Sequence, residues 1–168
     1  MSFLFACKNK NTQFFIDYQQ EVTLLEGTNR WEINLEDIQT DCRVRFEKND
    51  TKRSKVDKIL LKSITLIGDK EIDFKILKLK TIHMQCPSTS KKRIPFKNKH
   101  NIYSDSSVQF QLLDSDEDVK EFIKHNQFSV ELKMSGEKLE KKKNVTVILE
   151  FLVEGELIKT ILHQRMLV

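Results

Sequence analysis

The chain has 168 residues, of which 39% are hydrophobic and 32% charged, and its 29 Lys and Arg against 25 Asp and Glu give a net charge of +4. This composition is typical of a globular protein with a sizeable core and excludes a disordered chain. The 4 glycines form neither a GxGxxG nor a GxxxxGK[ST] motif, which excludes the usual dinucleotide-binding and phosphate-binding loops.

Alternating apolar residues, many of them β-branched or aromatic, recur in short runs and predict a strand-rich protein. In the first forty residues the candidate strands are 3–7, 13–18, 21–25 and 30–35. The residues at 26–29, Glu-Gly-Thr-Asn, favour turns. They therefore predict a hairpin between the last two of these strands.

The middle of the chain continues the strand pattern. Val44 and Phe46 alternate with arginines and predict a strand. After it we expect a polar loop over 48–55, a strand over 59–67, a turn at 68–70 and a long strand from 71 to 84. The apolar residues of that last strand change phase twice, which predicts bulges or bends that curl a sheet towards a barrel.

Residues 85–106 hold both prolines together with Ser, Asn and Lys, and they predict one long basic loop. After a strand over 108–112, Ser115 is a candidate helix N-cap followed by an acidic first turn. An i, i+3, i+4 apolar stripe that includes Phe122 then predicts one short helix over 115–126.

The end of the chain predicts two more strands and a hairpin. A strand is expected over 128–134, and another over 145–153 runs into Glu154 and Gly155, which predict a tight turn before a final strand over 157–166. Both faces of this hairpin carry apolar residues. Either both faces are covered, or one face binds a partner.

This element order predicts a mainly β (α+β) fold, formed as a single domain over residues 1–168. The domain would be a bent β-barrel or a sandwich with one short helix. An OB-like barrel with extra strands and a pleckstrin-homology-like barrel fit equally well, because no motif separates these topologies.

The residues that could carry catalysis are scattered. Cys7, Cys42 and Cys86 lack CxxC spacing, and the four histidines lack the spacing of a metal site. His83 and Cys86 could form a base and nucleophile pair, but such a pair three residues apart arises easily by chance. We therefore expect no enzyme, no metal, no cofactor and no small-molecule substrate.

The beginning of the sequence and the length of its apolar runs indicate in which compartment the protein is expected. No positively charged segment precedes a long apolar run, and no run reaches the roughly 18 residues of a membrane span. We expect a nuclear or cytoplasmic protein that is not secreted and has no membrane partner.

The charge distribution is the most informative feature, because residues 74–104 contain no Asp or Glu. Such a segment could lie along a phosphate backbone, with Phe96 and Tyr103 stacking on bases. The alternative is a solvated surface or a nuclear localisation signal at 90–93. The candidate nucleic-acid-binding cations are Lys75, Lys78, Lys80, Lys91, Lys92, Arg93, Lys97 and Lys99.

Two functions follow from these patterns. The first is a non-catalytic interaction subunit of a larger nucleoprotein complex that docks a protein partner through the C-terminal hairpin and the helix. The alternative is an OB-like barrel that binds single-stranded DNA or RNA through the basic 74–104 segment. The candidate partner-binding residues are Ile148, Leu152, Ile161, Met166 and Phe122.

Overall fold

A computed structural model describes residues 11–113 and 117–158. Within these residues the protein is mainly β, with two antiparallel sheets that form a sandwich and do not close into a barrel. The elements in chain order are β1 (Asn11–Leu24), β2 (Arg30–Gln39), α1 (Cys42–Glu47), a 3₁₀ helix (Arg53–Lys55), β3 (Val56–Gly68), a second 3₁₀ helix (Phe74–Ile76), β4 (Lys78–Gln85), β5 (Lys92–Ile94), β6 (Lys97–Ser104), β7 (Ser107–Leu113), α2 (Lys120–Ile123), β8 (Gln127–Ser135) and β9 (Lys143–Glu156).

Strands from distant parts of the chain pair within each sheet. The five-stranded sheet has the order β1-β9-β3-β7-β6, and the four-stranded sheet has the order β2-β8-β4-β5. β9 therefore lies between β1 and β3, with β1 at one edge of its sheet and β6 at the other. None of the helices in the described ranges is long and apolar enough to cross a membrane.

The core lies between the two sheets. Along β9 every second residue, from Val145 to Val153, belongs to the core, while the residues between them are half-buried. Tyr18, Phe128 and Phe151 pack edge to face, with ring centroids 5.3 to 6.0 Å apart. This aromatic cluster joins the two sheets, because Phe128 belongs to β8 and the other two rings belong to β1 and β9.

The beginning of the chain forms strands as predicted but not the predicted hairpin. Residues 13–18 and 21–24 belong to one long strand, β1, and a turn at 26–29 leads to β2. β1 pairs with β9, whereas β2 pairs with β8. The turn therefore crosses between the sheets. The predicted strand at 3–7 lies outside the described residues.

The strand predicted around Val44 and Phe46 is wrong, because this segment is the helix α1. Cys42 and Phe46 are its buried residues, whereas Val44 is exposed. This i, i+4 burial is the helical period, and two apolar residues in so short a segment could not distinguish it from the period of a strand.

The long strand predicted from residue 71 begins only at Lys78. Before it, Ile72 and Phe74 are buried from a turn and a 3₁₀ helix, while Ile76 is exposed. The predicted irregularity is confirmed, since the register of β4 shifts between Leu79 and Thr81. β3 contains two further shifts.

The long loop predicted at 85–106 is also wrong, because it contains β5 and β6. β6 is an edge strand with seven of its eight residues exposed. An edge strand without a buried face needs no alternating apolar residues, so the pattern that identifies strands was missing. The polar composition reflects the exposure of β6 and not an irregular backbone.

The predictions of the short helix and of the C-terminal hairpin are corrected in part. The helix is shorter than predicted, because α2 is capped by Val119 and Lys124, and Ser115 lies outside the described residues. The tight turn at Glu154 and Gly155 is wrong, because β9 continues through both residues. A Cβ at Gly155 would lie 2.6 Å from the Lys55 carbonyl oxygen, so this glycine permits close approach of β3.

Candidate binding surfaces

The predicted partner-binding residues have different outcomes. Ile148 and Leu152 lie on the central strand β9 with half-buried side chains that face away from the core. Phe122 is fully buried in the core and presents no surface to a partner, which corrects its predicted role. Ile161 and Met166 lie outside the described residues.

The strand registers define the residues of one surface, which we call the outer face of the five-stranded sheet. Phe15 stands opposite Leu152, which stands opposite Leu60, so three apolar side chains form one row across β1, β9 and β3. Phe15 is 59% exposed, whereas Leu60 is buried although it does not belong to the core between the sheets. Ile148 lies two rows further along β9.

The row between Leu152 and Ile148 is acidic. Asp17 of β1 stands directly opposite Glu150 of β9. Glu150 accepts a hydrogen bond of 3.4 Å from the Ser63 hydroxyl. Neither carboxylate forms a salt bridge with any residue of the described chain. Two like charges are therefore held side by side between the Leu152 and Ile148 positions of β9, and like charges directly opposite each other destabilise a sheet.

The outer face of the four-stranded sheet differs, because two of its carboxylates, Glu32 and Glu131, are paired with lysines. Glu32 lies 3.1 Å from the Lys133 ammonium. Glu131 is paired with Lys91, and its other carboxylate oxygen lies 3.3 Å from Nδ1 of His83. The hydrogen bond from Lys91 lowers the pKa of Glu131, although partial burial opposes this effect.

Two of the predicted nucleic-acid-binding cations are occupied by protein carboxylates. Lys91 pairs with Glu131, and Lys92 lies 2.5 Å from Glu117 and 3.6 Å from Glu121. The hydrogen bond to Glu117 raises the pKa of Lys92. These charges are compensated within the fold, so their predicted role against phosphates is weakened.

Four other cations surround the crossover from β5 to β6, and we call them the basic edge. They are Lys80, Arg93, Lys97 and Lys99, and all four are exposed without a salt bridge to the described residues. Lys80, Arg93 and Phe96 line a groove of about 380 Å³. The predicted Lys75 and Lys78 are exposed earlier in the chain, in the second 3₁₀ helix and at the start of β4.

The two predicted stacking residues differ in accessibility. Phe96 is half-buried and packs against the core, so only part of its ring is accessible. Tyr103 is 40% exposed, and its hydroxyl accepts a hydrogen bond of 2.8 Å from Asn101. Asn98 donates in turn to Asn101 at 2.7 Å. Tyr103 is therefore the more accessible aromatic surface on β6.

His83 and Cys86 do not form a nucleophile and base pair. His83 faces Glu131 on the outer surface, whereas Cys86 is buried with its thiol 3.2 Å from the Thr89 hydroxyl. Residues three apart on an extended segment point to opposite faces. A different pair, Ser88 and His125, lies 3.1 Å apart between Oγ and Nε2.

The Ser88 and His125 pair lacks the rest of a catalytic arrangement in the described chain. Within the described residues, no carboxylate accepts a hydrogen bond from the His125 ring. A serine and histidine contact needs such an orienting group and an oxyanion site to indicate acyl transfer. No group of three or more His, Cys, Asp or Glu residues within 11–113 and 117–158 is placed to hold a metal ion.

Sequence reasoning identified Ile148 and Leu152 but missed Asp17, Glu150 and Phe15. The signal was present in the alternation from residue 146 to 154, Thr-Ile-Glu-Leu-Glu at every second position. The sequence does not show that β1 pairs with β9, and without that pairing the alternation does not identify one surface. Comparison with protein-family models, with curated proteins and with solved structures finds no match to this chain.

Proposed function

We propose that this chain is a non-catalytic interaction subunit of a larger assembly, and that its protein partner docks on the outer face of the five-stranded sheet. One observation carries the proposal. The central strand β9 directs Leu152 and Ile148 away from the core, in register with Phe15, which remains 59% exposed. Apolar side chains gathered on one outer face are typical of interaction sites.

The contrast between the two sheets supports this choice of surface. The outer face of the four-stranded sheet carries Glu32 and Glu131, and each of these carboxylates is paired with a lysine of the described chain. These two carboxylates therefore need no cation from a partner. The outer face of the five-stranded sheet combines apolar side chains with Asp17 and Glu150, which form no salt bridge in the described chain. A partner could therefore bury the apolar side chains and supply a cation to the two carboxylates.

A site-specific cross-linking experiment tests this proposal. A photoreactive amino acid at Ile148 should cross-link the full chain in cells to a discrete protein, and Leu152→Glu in the same chain should abolish the product. A photoreactive residue at Asn34, on the outer face of the four-stranded sheet, is the matched control. Unchanged thermal unfolding of the variant shows that its fold is retained. Products of equal yield from both positions, or none from Ile148, would contradict the proposal.

A second function is favoured by the basic edge. We propose that single-stranded DNA or RNA lies along Lys80, Arg93, Lys97 and Lys99, with Tyr103 available for stacking. The supporting observation is that these cations have no carboxylate partner in the described chain, unlike Lys91 and Lys92. Cations without an internal partner retain their full interaction with phosphates. The two functions are compatible in one nucleoprotein assembly.

Fluorescence anisotropy with labelled single strands, duplex DNA and RNA tests the second function. Neutralisation of four phosphates predicts a slope of about −3 in a plot of log affinity against log salt concentration. Lys80→Glu combined with Arg93→Glu should weaken binding of all sequences alike. The charge-matched control is Lys48→Glu with Lys52→Glu, in the segment after α1. Equal losses for both pairs would show that only net charge matters.

A further inference from the structure

We propose that the partner segment on the outer face of the five-stranded sheet is a cationic amphipathic helix. This inference rests on the proposed function, because it names the partner of the same surface. It follows from the order of side chains along β9 and from the negative charge of the row that Asp17 and Glu150 form. The surface is defined by Phe15, Asp17, Ile148, Glu150 and Leu152.

The registers arrange these side chains as parallel rows. Phe15 and Leu152 form an apolar row, Asp17 and Glu150 form the next row, and Gln19 with Ile148 forms the third. Along β9 the outer face therefore alternates apolar, acidic and apolar. Alternate residues of a strand lie about 6.7 Å apart, so Leu152 and Ile148 are separated by about 13 Å.

A helix reproduces this spacing. Residues four apart on a helix are separated by about 6 Å along its axis, and residues eight apart by about 12 Å. A helix lying along β9 could thus place apolar side chains near Leu152 and Ile148 and one Lys or Arg against Asp17 and Glu150. The matching segment has an apolar residue, a cation four residues later and an apolar residue after four more.

The acidic row gives the charge of the partner. Glu150 accepts a hydrogen bond from the Ser63 hydroxyl, and neither it nor Asp17 forms a salt bridge with a cation of the described chain. A cation placed between the two carboxylates would convert a repulsive contact into two attractive ones. An acidic or neutral helix would leave the repulsion in place.

A peptide titration tests the inference. The probe is a labelled helical peptide of about 18 residues, the length needed to follow β9 from Glu154 to Thr146. It carries a leucine, a lysine four residues later and a leucine after four more on one face, with further lysines on the other faces, and its counterpart has glutamate at every lysine. We expect the lysine peptide to bind the full chain and the glutamate peptide to bind much more weakly. Asp17→Asn with Glu150→Gln should weaken the lysine peptide roughly 2- to 30-fold, the range for two exposed ion pairs.

Controls separate this inference from the proposed function. Glu32→Gln with Glu47→Gln removes the same amount of charge at positions outside the five-stranded sheet and should leave peptide affinity unchanged. Equal binding of the two peptides, or equal losses for both double variants, would overturn the helix charge assigned here while leaving the Ile148 cross-link intact. Absence of peptide binding together with absence of the Ile148 cross-link would overturn the proposed function as well.

Discussion

The like-charge pair on the outer face leads to a prediction about the isolated protein. Asp17→Asn should stabilise the fold, because it removes the repulsion between Asp17 and the directly opposite Glu150. The change is nearly isosteric, and Asp and Asn are both disfavoured in strands, so side-chain packing and strand propensity change little. Glu21→Gln is the matched control. It removes one negative charge from the same strand and face, but its partner Thr146 is uncharged.

Cross-strand charge pairs contribute about 0.2 to 1 kcal/mol, which sets the expected gain for Asp17→Asn relative to Glu21→Gln. For a chain of this size that gain raises the unfolding midpoint by about 0.5 to 4 °C. Urea unfolding at low salt measures it directly. In about 1 M salt the screening length falls to about 3 Å, so the advantage should shrink.

Two results would refute this reasoning. Asp17→Asn could stabilise the protein no more than Glu21→Gln, which would show that only net charge matters. Alternatively, the advantage could persist unchanged in high salt, which would exclude electrostatic repulsion as its cause. Stabilisation by the same substitution that weakens the lysine peptide would show that the acidic pair is maintained for binding at the expense of stability.

Three further predictions concern the fold. Gly155→Ala should destabilise the protein by about 1 to 3 kcal/mol, measured by urea unfolding, because the added Cβ would lie 2.6 Å from the Lys55 carbonyl oxygen. A glycine in a surface turn would tolerate the change, so an unchanged stability would contradict this reason. Phe122→Ala should cost about 3 to 5 kcal/mol, measured in the same way, since the side chain is fully buried; a neutral effect would contradict its place in the core. Lys91 lowers the pKa of Glu131 in the folded protein. The ionised Glu131 therefore stabilises the fold fully above the unfolded pKa of about 4.3, and this stabilisation is lost as the pH falls through the lower folded pKa. Unfolding midpoints of Glu131→Gln should therefore depend less on pH in this acidic range than those of the unaltered protein, and parallel profiles would contradict the pairing.

Local patterns in the sequence were sufficient for the fold class and for much of the burial. The alternation of Ile148 and Leu152 with core residues predicted that the strand over 145–153 has two apolar faces. Val119, Phe122 and Ile123 are buried as their helical stripe predicted. These properties depend on residues close in sequence, whose spacing repeats with the period of the element.

The predictions failed where the answer depends on a distant strand. The turn at 26–29 could not show whether β1 and β2 pair with each other, because backbone hydrogen bonds are the same whichever strands supply them. Gly155 resembled a turn residue because the close approach of Lys55 is invisible in the sequence. β6 lacked the apolar alternation of a strand because it lies at an edge without a buried face.

The sequence alone determined the side-chain chemistry available for binding, including the acid-free run of residues 74–104 and the alternation of acidic and apolar residues near the end of β9. Only the tertiary structure decided which of these charges are neutralised. It pairs Lys91 and Lys92 with carboxylates, leaves Lys80 and Arg93 without such a partner in the described chain, and places Asp17 beside Glu150. Charges interact through space over a few ångströms, and strand register brings residues more than a hundred positions apart to that distance.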